Sequence, residues 1–81
     1  MVYVIRSWED FARCLEYCNQ VLYRVVEIGE NTVEIRVKAG RVAWKGVVSR
    51  DSEKYREILR KLRAYGAMEV TMAIDDEQFM K

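Results

Sequence analysis

The side chains best placed to do chemistry in this chain are its cations, and they are crowded together. Arg36, Lys38, Arg41, Lys45, Arg50, Lys54, Arg56, Arg60, Lys61 and Arg63 are ten of the fourteen basic residues. Only Asp51, Glu53 and Glu57 oppose them between positions 36 and 63, so that third of the chain carries +7 and the remainder −6. A net charge of +1 therefore conceals a polarised molecule. Concentrated Arg and Lys attract a polyanion such as nucleic acid, or an acidic protein surface. The chemistry on offer is binding through charge-assisted contacts.

Bond-making chemistry has little to work with. The chain has no histidine, the one side chain whose ordinary pKa lies near neutrality. It also lacks a glycine-rich phosphate loop and a nucleophile motif. The expectation is a protein that is not an enzyme, with no catalytic residues. Asp75, Asp76 and Glu77 are adjacent carboxylates able to meet a divalent cation, although consecutive acids near a chain end are more simply a solvated tail. Cys14 and Cys18 stand four apart on a predicted helix, the spacing of a redox pair or of half a metal site. A structural zinc needs four ligands, and no histidine is there to complete the set. The plainer reading is two reduced cysteines, at least one of them a small core residue. No metal, cofactor or small-molecule substrate is expected.

Eighty-one residues predict one small domain, 1–81, whose last residues, 74–81, form a polar tail. A 51% hydrophobic content suits a folded core. A domain this small is marginal, and burial against a partner adds to its stability. No apolar run approaches the roughly 20 residues of a membrane span. The stretch from Met1 to Arg6 is too short and too soon charged for a signal peptide, so the expected address is cytoplasmic. Proline is absent, Asn and Gln total four, and Arg, Lys and Glu abound, a mix resembling thermophile proteins.

The elements that must position the cations follow from periodicity. Val2 to Ile5 is β-branched and aromatic, and predicts a strand. Ser7 supplies a hydroxyl N-cap, with Glu9 and Asp10 in the first turn complementing the helix dipole. Trp8, Phe11, Leu15, Cys18 and Leu22 follow 3-4-3-4 spacing, one apolar stripe on a helix that fades near Asn19 or Gln20. From Val21 the period becomes two. Val21–Ile28 reads as a strand, Gly29–Asn31 as a turn, and Thr32–Lys38 as a strand with Val33, Ile35 and Val37 on one face. Ala39 and Gly40 turn the chain into Arg41–Val48, where Val42, Trp44 and Val48 oppose Arg41, Ala43 and Lys45. Ser49 or Asp51 caps a second helix reaching about Tyr65, with Tyr55, Ile58, Leu59 and Leu62 on its apolar side. Met68–Ile74 alternates as a last strand. The order β-α-β-β-β-α-β predicts an α+β two-layer sandwich: a central three-stranded antiparallel meander with two helices on one face. Pairing of the first and last strands stays open, including pairing with a second chain.

With helices over the apolar face, Arg36, Lys38, Arg41 and Lys45 gather on the other. Simple alternation adds Tyr23 and Val25 to that open face and turns Arg24 inward. Four cations near an aromatic ring suit phosphates, with Tyr23 free to stack or hydrogen-bond. The alternative is solvation alone, since an open sheet face is polar anyway and Glu27 and Glu34 partly neutralise it. Arg56, Arg60 and Arg63 follow i, i+4, i+7 spacing on the exposed side of the second helix, either a secondary basic surface or a solvated face laced to Glu53 and Glu57. Trp8 and Trp44 fall inward as core anchors.

Several strings then point to a family. Trp8–Phe11 opening the first helix, Arg24–Val26, Val33–Val37 after a short turn, Ser49–Asp51 before a Tyr- and Leu-bearing helix, and Glu69–Met72 together resemble the smaller Alu-domain protein of the signal recognition particle, over about residues 7–72. The resemblance implies an α-β-β-β-α sandwich that pairs with a related subunit and holds folded RNA on its sheet. By position it makes Arg24, Arg36, Lys38, Arg41 and Lys45 RNA contacts. The strand at Val2–Ile5 and the tight turn at Gly29–Asn31 depart from that pattern. The leading expectation is a non-catalytic RNA-binding subunit of a ribonucleoprotein, as a homo- or heterodimer with a related small subunit and with no membrane. The alternative is a protein-interaction module, either a homodimer or an accessory subunit of a larger assembly, because a +7 surface can meet a −6 surface on another copy.

Overall fold

Alternation between Val33, Ile35 and Val37 on one side and Glu34, Arg36 and Lys38 on the other organises the sheet. In the computed structural model, which describes residues 3–18 and 20–70, the first set is almost wholly buried and the second half-buried. The chain runs β1 (Tyr3–Val4), α1 (Trp8–Cys14), a 3-10 turn (Leu15–Tyr17), β2 (Val21–Glu27), β3 (Thr32–Ala39), β4 (Val42–Ser49), α2 (Glu53–Ala64) and β5 (Met68–Glu69). The result is a compact α+β fold with one five-stranded mixed sheet, ordered β1-β4-β3-β2-β5, and two helices. The three central strands are antiparallel neighbours, while β1 runs parallel to β4 and β5 parallel to β2. The expected last strand is paired at Met68 and Glu69. Thr71 onward, including Ile74, the acids Asp75, Asp76 and Glu77 and the 74–81 tail, lies outside the described residues, as do Val2 and Asn19.

Turn chemistry fixes the register of the central hairpins. Ala39 pairs with Val42, leaving Gly40 and Arg41 as a two-residue loop, and Gly40 has a φ of 63°. A left-handed φ at the first loop position suits glycine and matches the twist of the flanking strands. Between β2 and β3 the amides of Ile28 and Gly29 both donate to the Thr32 carbonyl, at 3.0 and 3.2 Å. The Asn31 side chain then donates to Asp51 (2.6 Å) and Ser49 (3.3 Å), tying this loop to the junction between β4 and α2.

One core takes contributions from both helices and the sheet. Trp8, Phe11 and Leu15 from the first helical segment and Ile58 and Leu62 from α2 join Val33, Ile35, Val37, Tyr23 and Trp44. Trp8 and Trp44 meet with ring centroids 4.9 Å apart, and the Trp44 indole N–H donates to the Arg6 carbonyl at 3.3 Å. Gly46 is required beside that ring, because a Cβ there would come within 2.5 Å of a Trp44 ring carbon.

Local details refine the expected helix limits. Ser7 caps α1 as expected, its hydroxyl accepting from the Asp10 amide at 3.4 Å. The α-helix ends at Cys14 and tightens into the 3-10 turn, so Leu22, expected to continue the helical stripe, belongs to β2. Ser52, not Ser49 or Asp51, caps α2: its hydroxyl accepts from the Tyr55 amide at 3.2 Å and donates to the Ser49 carbonyl at 2.7 Å. The capping role moved along because Ser49 is still the last residue of β4, and Asp51 is engaged by Asn31.

Candidate nucleic-acid interface

Opposed residues on neighbouring strands point to the same side of a sheet. Arg24 lies opposite Arg36, and Arg36 opposite Lys45, so the three cations form one row across β2, β3 and β4, on the side away from Val33, Ile35 and Val37. This corrects the assignment of β2. Tyr23 pairs with Val37 and is buried, 7% exposed, and Val25 pairs with Ile35 and packs on the core. Tyr23 therefore offers no ring to a base, while Arg24 faces outward. The reason is compositional: five of the six side chains from Val21 to Val26 are apolar or aromatic, so alternation within the strand does not choose its inner face. Pairing with the strongly alternating β3 does.

Like charges directly opposite each other destabilise a strand pair unless anions lie among them. Glu34 supplies one anion: its carboxylate accepts from the Arg36 guanidinium, and both side chains are largely covered. Arg24 and Arg36 are half-buried and Lys45 is exposed. Lys38 sits in the adjacent row, between Leu22 and Ala43. Arg41 occupies the loop between β3 and β4 and is exposed at the sheet's end. Of the four cations expected to share a patch, Arg36 and Lys45 are directly opposed, Lys38 is one row away and Arg41 stands at the tip.

The same face carries more apolar surface than the sequence suggested. Val4 lies opposite Ala43, and Leu22 lies opposite Met68, so a row of Val4, Ala43, Lys38, Leu22 and Met68 crosses all five strands. Val4, Val47 and Met68 are each more than half exposed. Val47 is aligned with Glu34, and Leu22 and Met68 reach this face through pairing between strands far apart in sequence.

Other cations serve the fold. Arg50 pairs with Glu27 at 2.6 Å. Lys54 reaches Glu9 on α1 at 2.6 Å, and this hydrogen bond, with help from the backbone and the Ser7 hydroxyl, holds the Glu9 carboxyl at about 2, well below the usual range. The Lys61 ammonium lies 5.7 Å from the Tyr65 ring centre. Arg56, Arg60 and Arg63 are exposed around the half-buried Leu59, lining a shallow hollow of about 320 Å3. The expected lacing to Glu53 and Glu57 is not seen: Arg56 donates instead to the Asp51 carbonyl at 3.0 Å, and among the described residues Arg60 and Arg63 form no ion pair.

Both cysteines are free thiols. Cys18 donates toward the carbonyls of Cys14 (3.2 Å) and Ala39 (3.6 Å), and its burial pushes the thiol pKa up. A thiol so placed fastens the end of the 3-10 turn to β3 and is a poor nucleophile. Among the described residues no three Cys, Asp or Glu side chains gather as a metal site, and no helix is long and apolar enough to cross a membrane. Comparison with family models, curated proteins and solved structures found no match to this chain.

Proposed function

We propose that this chain is a non-catalytic RNA-binding subunit of a ribonucleoprotein, acting in the manner of the small Alu-domain protein it resembles, and working in the cytoplasm. In this reading the sheet and helices form two layers, with α1 and α2 on one side and the other side open to RNA. The observation that carries the proposal is the Arg24–Arg36–Lys45 row. Three cations gathered in one row offer a phosphate backbone several charge-assisted contacts at once. Lys38 and Arg41 extend the contact along the sheet toward its end. With no tyrosine on this face, the expected recognition is of backbone and helical shape rather than of stacked bases. Titration of a structured RNA at several salt concentrations tests the proposal. Binding at low salt that weakens linearly on a log–log plot is expected, with a slope of about 0.7–0.9 per phosphate contacted. Absence of binding at low salt contradicts it.

The exposed Val4, Val47 and Met68 on the same face favour a second reading, a protein-interaction module. Among the described residues the sheet ends at the two-residue strands β1 and β5, and such edges suit sheet extension by a related subunit or a second copy. Light scattering across a concentration series separates the two: a dimer supports self-pairing, and a strict monomer excludes it.

A further inference from the structure

We infer that the end of the sheet next to the 3-10 turn holds a second RNA subsite, one that takes an unpaired nucleotide; the inference rests on the RNA-binding reading above. A groove of about 590 Å3 lies there, lined by Tyr17, Cys18 and Gln20 from the segment before β2 and by Lys38, Gly40 and Arg41 from the hairpin between β3 and β4. Tyr17 is 87% exposed, the most exposed large hydrophobic side chain among the described residues. Its position is held from both sides. Leu15, at the start of the same turn, is buried in the core, and Cys18 is hydrogen-bonded to the Ala39 carbonyl at the end of β3. The ring therefore stands in water on a backbone fixed to the sheet.

Each wall suits one part of a nucleotide. A tyrosine face stacks any base, and such stacking tolerates sequence. Arg41 is exposed and forms no ion pair among the described residues, so its guanidinium can take a phosphate in bidentate fashion. Gln20 is exposed on the same groove and offers an amide to a base edge. Lys38 belongs both to this groove and to the open sheet face, where Leu22 and Ala43 flank it. A strand leaving a duplex on the Arg24–Arg36–Lys45 row can therefore pass Lys38 and end on Tyr17. An RNA with an unpaired end or bulge next to its stem fits this arrangement better than a blunt duplex.

The test uses two RNA hairpins with the same stem, one blunt and one with an unpaired 3′ overhang, titrated against the full chain by fluorescence anisotropy. The native chain is expected to prefer the overhang RNA by about five-fold or more, the lower end of what one base–aromatic stack contributes. Tyr17→Ala should abolish that preference and leave the blunt hairpin's affinity unchanged, while Tyr17→Phe should retain it. The exposure of Tyr17 makes both variants safe for folding. Replacing Arg24, Arg36 and Lys45 by Ala should weaken both RNAs together and preserve their ratio. Equal affinity of the native chain for the two hairpins, or a preference that survives Tyr17→Ala, overturns the subsite and leaves the sheet reading standing. Failure of the native chain to bind either hairpin at low salt overturns both.

Discussion

The Arg24–Arg36–Lys45 row and the Arg56–Arg60–Arg63 stripe each assemble three cations, by different means. The stripe needs nothing beyond helical periodicity, and its side chains stand in solvent where mutual repulsion is weak. The row exists only because three strands hold one register, and it keeps two arginines half-buried at directly opposed positions. The row concentrates positive charge at the middle of the sheet, with Glu34 among its counter-charges. An exposed helix face accounts for itself. Charge density along the sequence, highest between residues 36 and 63, is thus a poor guide to charge that matters. Arg24, outside that segment, joins the row, whereas Arg50, Lys54 and Lys61 inside it are engaged by Glu27, Glu9 and Tyr65.

Breaking the two sides of α2 separately gives the largest contrast. Leu62→Ala removes a fully buried side chain and should lower stability by about 2–5 kcal/mol. Arg60→Ala on the outer side should change it by no more than about 0.5 kcal/mol. Urea midpoints of the two variants measure both. The support beneath the row is tested next by Gly46→Val, which forces atoms into the space of the Trp44 ring and should cost about 1–3 kcal/mol, seen as a fall in Tm. Ser52→Ala should cost about 1 kcal/mol by removing the α2 cap, again read from the unfolding midpoint, without altering the salt slope of RNA binding.

The smallest effect sharpens the division between structural and binding cations. Glu9 is depressed from 4.5 to about 2 by Lys54, so its folded pKa lies below its unfolded one. The stabilisation it gives is complete above pH 4.5 and lost as pH falls from there toward about 2. The pair is exposed, so the effect is small. In Lys54→Met the decline of the urea midpoint across that window should be shallower than in the native chain. An identical decline would free Lys54 from its structural assignment.

Much of this was legible from periodicity, and what was not has identifiable causes. Val33, Ile35 and Val37 alternate against charged residues, so β3 declared its inner face, and Trp8, Phe11, Ile58 and Leu62 declared theirs by helical spacing. The inversion of Tyr23 and Arg24 was hidden because β2 is apolar on both faces and takes its orientation from its neighbour. Tyr17 carries no signal of its own in the sequence, because the apolar spacing predicts a helix that continues beyond it. The 3-10 turn ends there instead, and nothing in the local spacing distinguishes the two forms. The apolar share of that face depends on Leu22 and Met68 meeting across a parallel pair, a contact between residues far apart in sequence.

The central claim is that the sheet row, and not the helix stripe, meets RNA phosphates. It is tested most directly by measuring log affinity for one structured RNA against log salt for the native chain and two triple variants. Replacement of Arg24, Arg36 and Lys45 by Ala should flatten the slope by about 2–3, the loss of about three phosphate contacts. Replacement of Arg56, Arg60 and Arg63 by Ala should leave the slope unchanged. A slope that flattens in the helix variant while the sheet variant keeps the native value would contradict the account.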